Sequence, residues 1–455
     1  MLIPTHDKGH GTTLQPAALV GESWATEVVP RLPTDLAAQA RTHKAFQRVR
    51  GIATPTDLLR GLLAYILGPL STRRLGAWAV LIGLADISET AWRKRLRASR
   101  AWLQWLVSEV IATSEAPVLA RALPPLPGRV LLVDASRLRQ PGGTGDDWRL
   151  HLAYDLGAGR MSEVSVTDRH GGEHLERYPG QAGDVLVTDG GYGYRRSVAW
   201  AVAQEADLVV RIHPATCPLE TEAGAPFNVW RWLRQQGKDE RQWEGWCQWE
   251  GRRYRVRLVA AKLDTAATQR ARCRHRRKAQ KAGRALGAAT LALAGWVVLI
   301  TTLAAATWSV ADVLYLYRAR WQVELVFKKM KQLLRLNQIR STQPQSVEAT
   351  VRALLLAWAL HEDTTTRLRP LLEATTTATL ELVAVSSWLL SGLGLDTLRQ
   401  QVQSTWSEAR LVACLPQLRR FLCSRPRVRV HQESTVRAWL EHRGRTSPDG
   451  QRQAA

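Results

Sequence analysis

The spacing of apolar residues divides the chain into helical ends and a middle region that contains strands. Apolar residues recur at helical intervals from Glu22 to about Ala120, and again from Ser341 to about Leu440. Between these regions, short continuous apolar runs rich in β-branched residues alternate with helical segments. This rhythm predicts an α/β fold whose sheet is flanked by helical N- and C-terminal regions.

Changes in the pattern predict five segments. A linker at Pro124–Gly128 separates the N-terminal helices from the strands. Later, two aromatic alternating runs flank a turn at Gly251, which predicts a β-hairpin, and a cationic helix at Gln269–Arg284 follows it. The predicted segments are a helical N-terminal region at 1–123, a core at 128–213, a β-rich insertion at 214–290, the rest of the core at 291–340 and a helical C-terminal region at 341–455.

One uncharged stretch, between Arg284 and Asp312, has the length of a membrane span. Its glycines and threonines, and the β-branched run WVVLITT within it, favour a buried strand instead. The formal net charge of +23 favours a polyanionic partner, with nucleic acid first and an anionic membrane surface second. We therefore expect no membrane span and a cytoplasmic, nucleoid-associated protein. The five cysteines form no C-x-x-C pair, so their spacing indicates neither a zinc site nor structural disulfides.

A basic helical pair is predicted in the N-terminal region. It consists of a helix at Leu75–Ile82, a turn at Gly83–Ile87 and a second helix capped by Ser88. The second helix carries Trp92 and the cations Arg93, Lys94, Arg95, Arg97 and Arg100. This pattern fits the DNA-contacting helix of a helix-turn-helix, and equally a small helical bundle with a basic outer face. The sequence leaves both interpretations open.

The segment from Ser309 to Leu336 predicts one long helix, because a capping pattern begins it and no Gly or Pro interrupts it. An apolar stripe on this helix, which can face a core, contains Leu316, Val323, Phe327, Met330 and Leu334. A polar stripe beside it contains Tyr317, Arg320, Glu324, Lys328 and Lys331. One acid among cations fits a metal ligand beside a phosphate backbone, and it also fits a solvated helix face with ion pairs.

Three acids are the candidate metal ligands. Asp134 and Asp189 each end an apolar run, where a sheet presents functional groups, and Glu324 lies on the helix that follows another buried strand. Together they could hold one or two Mg²⁺ ions, which prefer oxygen ligands and can support phosphoryl transfer. Either aspartate alone would equally fit a helix cap or a loop acid.

The same residues carry a resemblance to a known family. Tyr317, Arg320, Glu324 and Lys331 spell the signature Y-x2-R-x3-E-x6-K in full, with Asp134 in VDAS and Asp189 in DGGY. With these motifs, roughly residues 25 to 345 resemble the DDE transposases of bacterial insertion sequences, in the group that this signature marks. Gly190 is a departure, since the group frequently has Arg there.

The resemblance implies an RNase H-like core interrupted by a β insertion. It implies that Asp134, Asp189 and Glu324 bind a pair of Mg²⁺ ions, with Mn²⁺ as the alternative. It further implies DNA contacts, on the terminal phosphates by Tyr317, Arg320 and Lys331 and near the DNA end by Arg211 and Trp296. Lys328, on the same polar stripe, is a further expected DNA contact. Trp296 could stack on a flipped base or be a buried structural residue, and His151 and Glu173 are secondary polar candidates.

The expected function is cut-and-paste transposition. The expected partners are the terminal inverted repeats, the target DNA and a second copy of the chain, since a homodimer would hold both ends in a synaptic complex. Two alternatives remain open at this point. One is a metal-dependent DNA endonuclease without strand transfer, and the other is a catalytically silent DNA-binding protein.

Overall fold

The protein is described by a computed structural model, which covers residues 23–114, 128–143, 145–235, 239–378, 386–403 and 408–422. The predicted linker at Pro124–Gly128 lies outside these ranges except for its last residue. No helix in the covered ranges combines the length and the apolar character needed to cross a bilayer.

Helices form the described N-terminal region. Two short turns, Trp24–Val28 and Val29–Arg31, precede them. The helices are α1 (Leu36–Thr42), α2 (Pro55–Leu67), α3 (Thr72–Leu81), α4 (Glu89–Ala98) and α5 (Arg100–Thr113). The predicted helical pair is confirmed as α3 and α4, except that Arg100 begins α5 and does not lie on the second helix. The Ser88 hydroxyl caps α4 by accepting from the Ala91 N–H at 3.2 Å. Trp92 is buried, so the exposed face of α4 is formed by its cations and not by this ring.

A single mixed sheet of ten described strands forms the centre of the molecule, in the order β3-β2-β1-β4-β5-β10-β9-β8-β6-β7. The strands are β1 (Val130–Leu138), β2 (Trp148–Asp155), β3 (Arg160–Asp168), β4 (Val185–Thr188), β5 (Asp207–Arg211), β6 (Leu219–Glu220), β7 (Pro226–Phe227), β8 (Glu240–Trp249), β9 (Arg252–Lys262) and β10 (Trp296–Thr301). Only the pairs β1–β4 and β4–β5 are parallel; the remaining pairs are antiparallel.

The sheet is covered on both faces, which explains the continuous apolar runs of its central strands. Leu132 of β1 belongs to a core shared with the N- and C-terminal helices, whereas the adjacent Leu131 and Val133 belong to the core on the opposite face. The C-terminal helices are α12 (Pro344–Ala378), α13 (Ser387–Val402), α14 (Glu408–Ala413) and α15 (Leu415–Leu422). Because α12 packs against α2, α5 and α13, both ends of the chain contribute to one core.

The middle of the chain confirms two predicted elements. Strands β8 and β9 form the predicted hairpin, with a turn at Glu250–Gly251 in the left-handed region (φ 47° and 76°). The predicted buried strand is β10, which pairs with both β5 and β9, so the hairpin extends the central sheet. The helices of this region are α6 (Arg195–Ala203), α7 (Val229–Arg234), α8 (Thr265–Lys281) and α9 (Ala288–Leu293).

The prediction of one long helix after Ser309 is wrong at Arg320. The segment forms two helices, α10 (Val310–Ala319) and α11 (Trp321–Leu333), that meet at this residue. α10 packs against β4, β5, β8 and β9, and α11 packs against β1 and β2. A twisted sheet presents these two sets of strands at different angles, so one straight helix cannot follow both. The predicted capping box at Ser309 and the buried apolar stripe are confirmed.

Candidate active site

Asp134 and Asp189 lie side by side at one edge of the parallel strands. Val133 of β1 pairs with Thr188 of β4, and each aspartate is the next residue. The prediction that the first strand ends at Asp134 is wrong, because β1 continues to Leu138 through its antiparallel pairing with β2. Only the parallel pairing of β1 with β4 ends at Val133 and Thr188. The end of that pairing places the two carboxylates next to each other.

Local hydrogen bonds orient both aspartates. Asp134 Oδ1 accepts from the N–H of Ala135 at 2.8 Å. Asp189 begins a short helical turn at Gly190–Tyr192, and its Oδ1 accepts from the N–H of Gly191 at 2.8 Å. Tyr192 is buried beneath this turn, with its hydroxyl 3.3 Å from that of Tyr178. The turn is therefore anchored in the core while its carboxylate faces outward.

Glu324 lies on α11, and Arg320 links it to Asp134. The Nη2 of Arg320 donates to Glu324 Oε1 at 2.6 Å, and its Nη1 lies 3.5 Å from Asp134 Oδ2. The guanidinium thus joins α11 to β1. The Nε of Arg320 is buried and has no hydrogen-bond partner among the described residues.

The raised pKa of Asp134 reflects its burial and the nearby negative charges of Asp189 and Glu324. Burial, the charge of Asp189 and, to a smaller degree, that of Glu324 together raise its pKa to about 7, although the Ala135 N–H and Arg320 act in the opposite direction. The Asp134 side chain is only 16% exposed, so solvent screens these charges poorly. A cation placed among the three acids would relieve this repulsion.

The donors suit a hard divalent cation, because carboxylate oxygens are the ligands that Mg²⁺ and Mn²⁺ prefer. In the described part of the chain, no three His, Cys, Asp or Glu side chains lie close enough to hold an ion as they stand. The position between Asp134 and Glu324 is instead taken by a protein cation, the Arg320 guanidinium. The carboxylates therefore suit a metal site by their donor type. The guanidinium between two of them shows that a positive charge is favourable at that position.

A cavity of about 460 Å³ opens beside the acids. Of the predicted site residues it is lined by Asp189, Arg211, Trp296, Tyr317 and Arg320. Arg211 ends β5, Trp296 begins β10, and the Arg241 guanidinium lies 5.3 Å from the centre of a Trp296 ring. Trp296 is partly exposed to this cavity, so its ring is accessible for stacking.

The other predicted cations differ in position. Lys331 is half-buried on α11; burial lowers its pKa, and the negative charge of Asp134 acts in the opposite direction. Lys328 lies on another part of the helix surface, with its Nζ 5.8 Å from the centre of a Trp388 ring on α13. It does not line the cavity.

Of the two secondary candidates, only Glu173 is close to the acids. Burial raises the pKa of Glu173 and the charge of Asp189 raises it further. A Cβ on Gly191 would lie 1.9 Å from Glu173 Oε2, which shows how closely Glu173 approaches the Asp189 turn. His151 is fully buried, with Nε2 2.9 Å from the Thr167 hydroxyl, and burial together with the charge of Arg177 lowers its pKa to about 4. It is thus a neutral core residue.

Three basic residues that line the cavity were not among the predicted site residues. They are His213, after β5, and His275 and Lys278 on α8. The dense cation run of α8 was visible in the sequence, but its position depends on the pairing of β9 with β10 in the sheet. No local pattern reveals that pairing.

Comparison with known proteins agrees with this geometry. Residues 125–360 match the model of the Transposase DDE domain family. The chain is 33% identical over 341 residues to a protein of Escherichia coli (strain K12) named as a transposase, InsL, for insertion sequence element IS186A, covering 73% of this chain and 90% of the relative. It is also 33% identical over 342 residues to the transposase for insertion sequence element IS421 of Escherichia coli, with the same coverage.

These matches establish several of the expectations. The α/β sheet with its parallel β1, β4 and β5 is the RNase H-like core of this family, flanked by helices at both ends. The family acts on DNA and depends on a divalent metal, and its members are enzymes that cleave DNA and transfer strands. The chain belongs to the DDE transposases of insertion sequences.

Proposed function

We propose that this transposase moves its element by cut-and-paste transposition, and that it belongs to the group marked by the Y-x2-R-x3-E-x6-K signature. The observation that carries the proposal is the Arg320 guanidinium, which lies between Asp134 and Glu324 beside a cavity rich in cations. In this account water attacks the phosphodiester at the element end, the bond to the 3′ oxygen breaks, and a 3′-OH and a 5′-phosphate are left. The same centre then directs that hydroxyl at the opposite strand or at the target.

Asp134, Asp189 and Glu324 are the proposed ligands of two Mg²⁺ ions, with Mn²⁺ as the alternative. When bound, these ions activate the attacking oxygen and stabilise the leaving one. The protein has a separate task, to hold the DNA end. Arg320, Tyr317 and Arg211 border the cavity that would receive it. Lys331 is assigned to a phosphate near Asp134, and Trp296 to stacking on a flipped base.

The remaining assignments concern assembly. The exposed cations of α4 are proposed to contact the terminal inverted repeats, since α3 and α4 are consecutive helices joined by a short segment and α4 carries several basic residues. A homodimer in a synaptic complex would bring both ends together. Leu389 and Leu393 of α13 are 73% and 58% exposed and lie one helical turn apart, which supports this helix as the dimer interface.

The test is a strand-transfer assay with DNA that carries the sequences flanking the gene. The parent protein with Mg²⁺ should release an end-bearing fragment and join it to a second duplex. Glu324→Gln should bind the ends normally but neither cut nor join them, whereas the exposed control Glu250→Gln should match the parent. Cutting without joining would indicate an endonuclease, and binding alone in the parent would indicate a catalytically silent protein. Either result would overturn the proposal.

A further inference from the structure

Helix α8 is the most strongly cationic element of the described fold. From Thr265 to Lys281 the helix contains no acid and eight basic side chains: Arg270, Arg272, Arg274, His275, Arg276, Arg277, Lys278 and Lys281. Asp264 precedes the helix and caps it by accepting from the Ala267 N–H at 2.6 Å. So many like charges on one helix repel one another, which opposes folding of this segment unless an anion neutralises them.

Four of these cations form one exposed stripe. At about 100° per residue, Arg270, Arg274, Arg277 and Lys281 lie within about 60° of one another, and all four are exposed. None of the four has an ion pair or a side-chain hydrogen bond in the described part of the chain. The stripe extends over about 16 Å, at 1.5 Å per residue. That length corresponds to about five base pairs of duplex at 3.4 Å each.

The other side of α8 faces the active site. Ala271 is buried, and the Nε of Arg272 donates to the Leu291 carbonyl at 3.1 Å, which fixes α8 against α9. His275 and Lys278 line the same cavity as Asp189 and Arg320. Burial lowers the pKa of His275, and the charges of Arg211 and Lys278 lower it further, which records a local excess of positive charge. The middle and second half of α8 thus border the cavity, and the exposed stripe runs beside it.

We propose that α8 is a DNA-contact element that holds the duplex backbone next to the cleaved phosphate. His275 and Lys278 receive phosphates in the cavity, and the stripe of Arg270, Arg274, Arg277 and Lys281 follows the backbone beside it over about five base pairs. The contacts are to phosphates and carry no base specificity. This inference rests on the proposed function, because it assumes that a DNA end occupies the cavity.

The test compares a stripe variant, R270Q/R274Q/R277Q/K281Q, with a charge-keeping control, R270K/R274K/R277K, on a duplex that carries the element end and its flank. Binding is measured against salt concentration, and the protected phosphates are mapped by hydroxyl-radical footprinting. Each phosphate contact contributes about −0.9 to the slope of log K against log salt. The stripe variant should therefore lose about three to four units of slope and its protection within about five base pairs of the cleavage point. The control should keep both.

Unchanged slope and footprint in a folded stripe variant would overturn the inference, and thermal unfolding of the variants checks folding. If the four-residue variant fails to fold, R274Q/R277Q should lose about two units of slope, and no loss there would equally overturn the inference. Failure of the α8 proposal and failure of the proposed function give different results. A parent protein that cuts and joins ends while the stripe variant binds unchanged contradicts only the role of α8. A parent that neither cuts nor joins contradicts the proposed function, whatever α8 does.

Discussion

The guanidinium of Arg320 lies 3.5 Å from the carboxylate of Asp134, although 186 residues separate them along the chain. The same side chain donates to Glu324 one helical turn away at 2.6 Å. Arg320 therefore neutralises two of the acids that are proposed to bind metal. A divalent cation and this guanidinium would compete for the same oxygens, and DNA phosphates offer Arg320 an alternative partner.

Replacing Arg320 with Ala should strengthen metal binding when DNA is absent. Removal of the competing cation leaves Asp134 and Glu324 free, and a gain of about tenfold in affinity corresponds to roughly 1.4 kcal/mol. Titration of Mn²⁺ by electron paramagnetic resonance measures this directly. Arg318→Ala is the matched control. Arg318 is exposed, and its replacement removes the same charge from the end of α10. Equal or weaker Mn²⁺ binding in Arg320→Ala would show that the guanidinium does not compete with metal.

Asp134 should make the metal-free protein less stable as the pH rises. Its pKa is about 7 in the folded protein, against 3.8 as the ordinary value. Between these two pKa values the folded state holds a proton that the unfolded chain releases, so the free energy of unfolding falls as pH rises through this window. Asp134→Asn removes the effect and should exceed the parent in stability by a few kcal/mol at pH 8, on the order of 4 at most.

Urea unfolding in EDTA at pH 4 and pH 8 checks this prediction. The two proteins should differ little at pH 4, where the carboxyl is protonated in the folded state and close to half protonated in the unfolded one. Added Mg²⁺ should favour the parent, because only the parent retains the carboxylate. A variant that is less stable than the parent at pH 8 without metal would contradict the assigned burial and repulsion.

The two glycines after Asp189 should respond differently to substitution. A Cβ on Gly190 would meet only the Arg211 carbonyl oxygen at 3.7 Å, which is ordinary contact, whereas on Gly191 it would lie 1.9 Å from Glu173 Oε2. Gly190→Arg should therefore fold and add a cation at the mouth of the cavity, with an increase of a few-fold in affinity for the DNA end. Gly191→Ala should displace the flexible end of the Glu173 side chain from the turn, at a cost in stability of less than about 1 kcal/mol.

Thermal unfolding and equilibrium binding of the two glycine variants provide the measurements. Gly190→Ala separates the effect of the backbone from that of the added charge and should bind as the parent does. If Gly190→Arg weakened the binding of the DNA end, the cavity would not receive phosphates at this position. A loss of more than about 1 kcal/mol in Gly191→Ala would show that the Glu173 side chain cannot move away from the turn.

The sequence predicted the parts of the site that depend on local pattern. Apolar runs located β1, β4 and β10, and the residues that follow the paired ends of β1 and β4 are the two aspartates. The capping box at Ser309 and the buried face of Phe327 and Met330 were equally local features. Each of these features follows from the spacing of side chains along a single element.

Features that depend on distant pairing were not predictable in this way. The interruption at Arg320 follows from the path of α10 and α11 across different strands, and it contains neither Gly nor Pro. Lys328 shares the polar stripe in sequence, yet its partner Trp388 lies on a distant helix that no periodicity connects to it. His275 and Lys278 reach the cavity only because the hairpin extends the central sheet.

Asp134, Asp189 and Glu324 are proposed to share divalent cations. Fe²⁺ substituted for Mg²⁺ in the complex with end DNA generates radicals with ascorbate and peroxide, and these cut the polypeptide near the bound ion. The predicted result is cleavage clustered around all three residues, competed by Mg²⁺ and lost together in Asp134→Asn. Cuts at only one of the three, or at positions elsewhere in the chain, would contradict a shared metal site.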